Sequence, residues 1–339
     1  MKLSQLQIGR QKGELLILEQ MTSVKEQAYG SRGNGSRAKK SRLRSFRRNW
    51  DLYLLFSPVL IYFIVFHYVP MYGMQIAFKD FIANKGITGS PWVGFKHFER
   101  FFDSFYFWRV IKNTMGIGLY ELVVGFPIPI LLALMIHEVR SGKFRRFVQT
   151  VTYMPHFLST VVMVGMVMMF LSPVSGLINL AITALGGEAI SFMTEPGWFK
   201  SIFVWSGVWQ TMGWSSIIYL AALAGVDPQL HDAAKVDGAT RLQRIWHVNI
   251  PGIAPTMVVL LILNVGSIMG VGFEKVFLLQ NALNMEASDV IATNVYRSGI
   301  LGAQYSYSAA VGLFNSVINF ILLLTVNRLA RKVSSSSLW

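Results

Sequence analysis

Long apolar runs dominate this sequence and decide what it can become. Five or six stretches exceed the roughly 18 apolar residues needed to cross the hydrocarbon core of a bilayer. The runs are continuous rather than alternating, which argues for helices and against a β-barrel. Composition agrees: 53% of the 339 residues are hydrophobic and only 14% are charged, against about 25% in a soluble domain. The expected fold class is an all-α polytopic membrane protein. Spans are placed at about 52–70, 110–137, 148–171, 201–225, 254–279 and 307–328, within a transmembrane domain of residues 50–330. The arm 1–49 is expected to be disordered and 331–339 a short tail, and Met21 is an alternative start to Met1.

The net charge of +14 raises the question of nucleic acid, and its distribution answers it. Twelve of the 31 Lys and Arg residues fall within the first 49 positions. Others cluster in "RSGKFRR" (140–146), in the segment after span four, and in "NRLARK" (327–332). Basic residues beside spans mark the cytoplasmic side. Alternate segments are therefore cytoplasmic, and six spans put both termini inside. The partner implied by the charge is an anionic lipid surface, not nucleic acid. The aromatic segment "PWVGFKHFERFFDSFYFW" (91–108) predicts a short helix lying in the outer interface.

Motifs for catalysis are missing from the sequence. It has no phosphate loop of the G-x-x-x-x-G-K-[ST] type, no H-E-x-x-H and no G-x-S-x-G, and it contains no cysteine. Its six histidines are scattered at 67, 97, 137, 156, 231 and 247. A transport role fits better than an enzyme, with no catalytic and no metal-binding residues assigned. Glu121 lies mid-way along span two, where a charge needs a partner or a water-filled cavity. It either lines a pathway or bonds a neighbouring helix. Trp209, Gln210 and Trp214 in span four, Asn264 in span five and Asn315 in span six are the further pathway candidates. Tryptophans near span ends also serve as interfacial anchors, so both readings stay open. Glu274 and Lys275 are expected to reach the outer interface.

One charged stretch sits between two spans: "DPQLHDAAKVDGATRLQRIWHVNIPGIAP" (227–255). Asp227-Pro228 predicts a helix start. Asp237-Gly238 interrupts the helix, and Asp237 is placed to cap a second one over about 239–248. Pro251 is expected to end that helix and Pro255 to open span five. Small residues at Ala233, Ala234, Gly238 and Ala239 allow close approach of another surface, while Leu242, Ile245 and Trp246 form a larger apolar face. The segment is either a docking knob or a helical loop packed on its own bundle.

The stretch "DAAKVDGATRLQRIWHVNIPGIAP" resembles the EAA loop of permease subunits in binding-protein-dependent ABC importers, with Ala233, Ala234, Asp237, Gly238, Ala239 and Pro251 in register and Asp232 where glutamate is usual. Three further stretches, "FHYVPMYGMQIAFKDF" (66–81), "NTMGIGLYELVVGFPIPILLALMIHEVRSGKFRRFVQTVTYMPHFLST" (113–160) and "FEKVFLLQNALNMEASDVIATNVYRSGI" (273–300), look like the sugar-permease branch linked to complex oligosaccharides and polysaccharide fragments. The resemblance implies a type I importer permease of six transmembrane helices in a bacterial cytoplasmic membrane. It implies a second homologous permease, two cytoplasmic ATPase subunits on the EAA loops, and an extracellular or periplasmic solute-binding protein delivering carbohydrate. No cofactor is implied in this chain, because ATP and magnesium belong to the ATPase. An ion-coupled secondary transporter and an ABC permease for a non-sugar solute are the alternatives.

Overall fold

The computed structural model describes residues 49–333; the basic arm, the alternative start at Met21 and most of the C-terminal tail lie outside them. The chain divides before Gly73, and the two parts are taken separately. The first is the apolar helix that begins at Trp50, eight residues before Pro58. It widens at Ile64–Tyr68, two residues ahead of Pro70, whose ring denies the regular i→i−4 bond. Helical backbone then continues to Phe78, so the span is longer than the 52–70 expected.

From Gly73 onward, span two covers Phe107–Glu138, with helices Phe107–Gly125 and Pro127–Glu138 meeting at Phe126. The expected third span at 148–171 is not one helix. Helices Gly142–Phe157 and Thr160–Phe170 meet at a bend of 102°. Pro155 sits in a tight turn over Met154–Phe157, Leu158 and Ser159 are extended, and the Ser159 hydroxyl accepts from the Val162 amide to start a new helix. The fourth crossing, Pro196–Ala224, has 29 residues, about 44 Å at 1.5 Å per residue. By length and apolarity alone, the described residues offer four spans, or five with the bent pair taken as one. Pro196–Ala224 is the sixth. It is long enough but carries Trp, Ser and Gln among its apolar residues.

Span five also differs from the expectation. Its helix begins at Arg241, passes Pro251 and Pro255 without stopping, and ends at Gly266 rather than residue 279. Pro251 lies two residues beyond the wide turn Ile245–Asn249, so the missing hydrogen bond is absorbed by that turn instead of ending the helix. After Gly266 the sequence "SIMGVG" leaves the helix. The freed Met269 amide donates to Asn319 Oδ1 at 3.1 Å, and a separate helix, Phe273–Leu279, follows. Lys275 does not snorkel outward. Its ammonium donates to the Phe203 carbonyl and lies 4.3 Å from the Phe203 ring centroid. Gly207 leaves the room, since a Cβ there would stand 2.8 Å from Lys275 Nζ. The last crossing is Tyr305–Val333.

Pro196–Ala224 is the element around which the others pack; it touches spans two and five and both arms of the bent pair. Lipid is as apolar as a protein core, so close helix approach at small residues matters more than apolar burial. Two glycines set that approach. A Cβ on Gly213 would stand 2.1 Å from the Thr152 carbonyl, and one on Gly118 would stand 2.0 Å from the Ile268 carbonyl. Apolar clusters fill the rest: Ile117, Met163, Phe203 and Val276 toward one end, and Ile130, Leu134, Tyr219, Leu223 and Ile253 toward the other.

The aromatic segment before span two is ordered. Helix Lys96–Phe102 buries Phe101 against Tyr307 and Phe314. Asp80 takes Lys96 Nζ at 2.8 Å and His97 Nε2 at 3.0 Å. The Lys96 hydrogen bond, aided by its charge, holds the Asp80 carboxyl below the usual range.

Two outcomes are expected. Gly213→Ala should lower stability by about 1–3 kcal/mol through overpacking against a backbone carbonyl, read by thermal melting of the purified protein. Asp80→Asn should cost at most about 1 kcal/mol at neutral pH, as for exposed pairs. A lowered folded-state pKa gives stability that is full above the ordinary carboxylate pKa of about 3.9 and fades as pH falls through the lowered value. Melting curves of wild type and variant should therefore converge in acid.

Candidate functional site

The segment 227–255 folds as two helices around a sharp bend. Asp227 accepts from the Gln229 amide at 2.9 Å and Pro228 takes the first helical position, starting Pro228–Val236. The helix ends at a left-handed glycine, Gly238, with φ +75°. The Gly238 amide donates to Lys235 O at 3.1 Å and the Ala239 amide to Ala234 O at 2.9 Å. That pair of bonds is the Schellman arrangement, which needs a residue without a Cβ penalty at this position.

Asp237 does not cap the second helix. Thr240 does: its hydroxyl accepts from the Gln243 amide at 3.4 Å, and Gln243 Oε1 accepts from the Thr240 amide at 2.7 Å. The Thr-x-x-Gln spacing of a capping box was present in the sequence, and Thr240 is the residue that reading by charge overlooks. Asp232 is exposed and pairs with Lys235 Nζ at 2.8 Å, which holds its carboxyl below the usual range.

The apolar face splits in two. Leu242 and Trp246 are exposed, as is Val236. Ile245 is half-buried and packs on the cluster of Ile130, Leu134, Tyr219 and Ile253, so it anchors the bend to the spans. The His231 ring lies 6.3 Å from that of His137 at the end of span two. Ala233, Asp237 and Gly238 are exposed, while Ala234 and Ala239 are half-buried. A Cβ on Gly238 would meet no atom within 4 Å. The bend thus presents a free surface of small and apolar residues flanked by charge. Pro251 lies inside the helix that runs into span five.

Between spans two, four and five lies a cavity of about 240 Å³. Glu121, Thr211, Ser215, Asn264 and Ser267 supply its polar lining. A neighbouring cavity of about 420 Å³ shares Ser215 and Asn264 and adds Trp214 and Tyr219. The structure therefore brings Glu121, Asn264 and Trp214 to a hollow made of two adjoining cavities that share Ser215 and Asn264. Trp214 is held by stacking on His156, with centroids 4.4 Å apart.

Gln210 sits elsewhere. Its amide donates to the Leu158 carbonyl at 3.0 Å, closing the break in the bent pair. Trp209 is partly exposed and lines neither cavity. Asn315 has a buried Oδ1 with no partner and also lies outside both. The hollow offers a carboxylate, an amide, hydroxyls and an indole, a set that hydrogen-bonds and stacks on a polyhydroxylated ring. Among the described residues no group of three His, Cys, Asp or Glu side chains is arranged to hold a metal.

Residues 125–335 match the model of the binding-protein-dependent transport system inner membrane component family. The chain belongs to this family. It is the permease subunit of a binding-protein-dependent ABC importer, a transport component rather than the ATPase. The polygalacturonan/rhamnogalacturonan transport system permease protein YteP of Bacillus subtilis is 46% identical over 288 residues, 85% of this chain and 90% of the relative. Protein LplB of the same organism is 42% identical over 297 residues, 88% and 93% of the two chains. Among solved structures, a chain of a bacterial alginate ABC transporter in complex with an alginate pentasaccharide-bound periplasmic protein superposes with a TM-score of 0.81. It is 42% identical and the match covers 87% of this chain and 99% of that one. The six-crossing permease fold expected from the sequence is the fold observed.

Gln210→Leu should leave the Leu158 carbonyl unpaired and cost about 1–3 kcal/mol. Thermal melting should register this loss; a variant as stable as the wild type would mean that the bond contributes nothing.

Proposed function

We propose that this permease forms part of the pathway for an oligosaccharide, delivered by a solute-binding protein and driven by a separate ATPase that grips the 227–255 bend. A second, homologous permease completes the pathway. Two cytoplasmic ATPase subunits hold the ATP and magnesium. Both termini and the bend face the cytoplasm of a bacterial plasma membrane, in line with the basic residues flanking these segments. The carbohydrate assignment is supported by relatives whose names concern polygalacturonan, rhamnogalacturonan and alginate.

The observation that carries the coupling role is the exposed, doubly capped bend at Gly238. Leu242 and Trp246 insert into an apolar groove of the ATPase, as amphipathic helices do. Ala233, Ala234 and Ala239 permit close approach. Asp232 and Asp237 stand ready for ion pairs with the partner. Nucleotide binding to the ATPase dimer shifts the population between inward-open and outward-open states. In the hollow, Glu121 and Asn264 bond sugar hydroxyls and Trp214 supplies a stacking face.

Gly238→Arg places a long charged side chain on the docking surface; Gly238→Asn keeps a residue that tolerates positive φ. In proteoliposomes containing the whole importer and its binding protein, Gly238→Arg should reduce ATP-driven oligosaccharide uptake more than tenfold while the protein stays inserted. Gly238→Asn should retain most of it. Undiminished uptake by Gly238→Arg would remove the coupling assignment. A panel of neutral and acidic oligosaccharides in the same assay tests the substrate class.

A further inference from the structure

Helix Phe107–Glu138 ends with His137 beside His231 of the bend. Its other end opens onto a polar cavity of about 690 Å³, so this cavity lies at the end of the span away from the ATPase-facing segment. Its volume falls in the range of small-molecule sites. Three arginines line it, Arg100, Arg109 and Arg297, against two carboxylates, Asp103 and Asp289.

The arginines differ in how their charge is used. Arg297 Nη2 lies 2.8 Å from both oxygens of the buried Asp289, so its charge is matched and its position fixed. Arg100 donates to the neutral Gln304 Oε1 at 2.8 Å and lies 4.9 Å from the Tyr307 ring centroid. Arg109 lies 5.4 Å from the Tyr106 centroid. Among the described residues neither Arg100 nor Arg109 pairs with a carboxylate. Both guanidiniums are held in place by aromatic faces, with their charge left for a ligand. The wall carries a second unsatisfied group. Asn294 is 6% exposed, and its Oδ1 is buried without a hydrogen-bond partner.

The geometry points to a binding site for a uronate unit of the transported oligosaccharide, its carboxylate on Arg109 and Arg100 and a ring hydroxyl donating to Asn294 Oδ1. A carboxylate needs the guanidinium donors, which can bind it bidentately. Asn294 Oδ1 needs a donor, which an ionised carboxylate lacks and a sugar hydroxyl supplies. A uronate carries both groups on one ring, and Tyr106 and Tyr307 flank it. An acidic side chain of the delivering protein would satisfy the arginines but bring no hydroxyl for Asn294. The inference rests on the carbohydrate reading above and narrows it to acidic sugars.

The test is binding of trigalacturonate, and of its fully methyl-esterified form, to the assembled importer in nanodiscs without the solute-binding protein. The wild type should bind trigalacturonate at least about tenfold more tightly than the ester, as expected for loss of a charge-assisted pair. Arg109→Gln should erase that difference, and Asn294→Ala should weaken both forms. Arg297 is left intact, because its loss would strand buried Asp289. Equal trigalacturonate binding by wild type and Arg109→Gln would overturn the site. So would an Arg109→Gln importer that binds trigalacturonate normally but docks the unloaded binding protein less well, which would give the arginines to a protein contact. Uptake separates the two levels of inference. A wild-type importer that takes up no carbohydrate sinks the sugar-permease reading and this site with it. Import of trigalacturonate by wild type and Arg109→Gln with the same KM sinks the uronate site alone.

Discussion

A carbonyl or amide released from a helix inside a bilayer has no water to bond, so each break in a span must be closed by another part of the protein. This chain breaks its spans repeatedly, and side chains on neighbouring helices close the gaps. Gln210 donates to Leu158 O at the 102° bend. Asn319 accepts from the Met269 amide where span five ends. A further cross-helix bond needs no break: the Lys275 ammonium reaches the Phe203 carbonyl, within the continuous helix Pro196–Ala224, through the space left by Gly207. The Gln210 and Lys275 bonds and the contact at Gly213 hold Pro196–Ala224 among its neighbours, while Met269–Asn319 and Gly118–Ile268 tie the end of span five to spans six and two beside the hollow containing Glu121 and Asn264.

Much of this was legible in the sequence because hydrophobic length and basic flanks are one-dimensional signals. The six crossings and the charged segment at 227–255 follow from them. The breaks are less visible. Pro155 is a residue that breaks helices, but nothing local indicates that Ser159 starts a new helix after a bend of 102°. Pro251 carried the opposite error: it reads as a stop, yet a wide turn at Ile245–Asn249 absorbs its missing hydrogen bond. Span five reads as apolar as far as residue 279, and its helix ends at Gly266.

The functional residues show the same division. Gly238 was identifiable by type, though its role is a left-handed helix end as well as a small surface. Thr240 was identifiable by its spacing to Gln243. Gln210 and Asn264 are both polar residues in apolar helices, and sequence alone gives them equal weight. Only the fold separates the one that closes a backbone gap from the one that lines a cavity. The arginine cavity draws on residues 100, 109 and 297, too far apart in sequence for any motif to join them.

The unbroken run from Arg241 to Gly266 has a mechanical consequence. A helix of 26 residues is about 39 Å long. It joins the exposed Trp246 at one end to Asn264 in the hollow at the other. Such a rod acts as a lever: a tilt of about 10° shifts one end relative to the other by about 7 Å, given a rise of 1.5 Å per residue. A push at the 227–255 bend would therefore be carried along this helix toward the polar hollow. The wide turn at Ile245–Asn249 is where its stiffness is least.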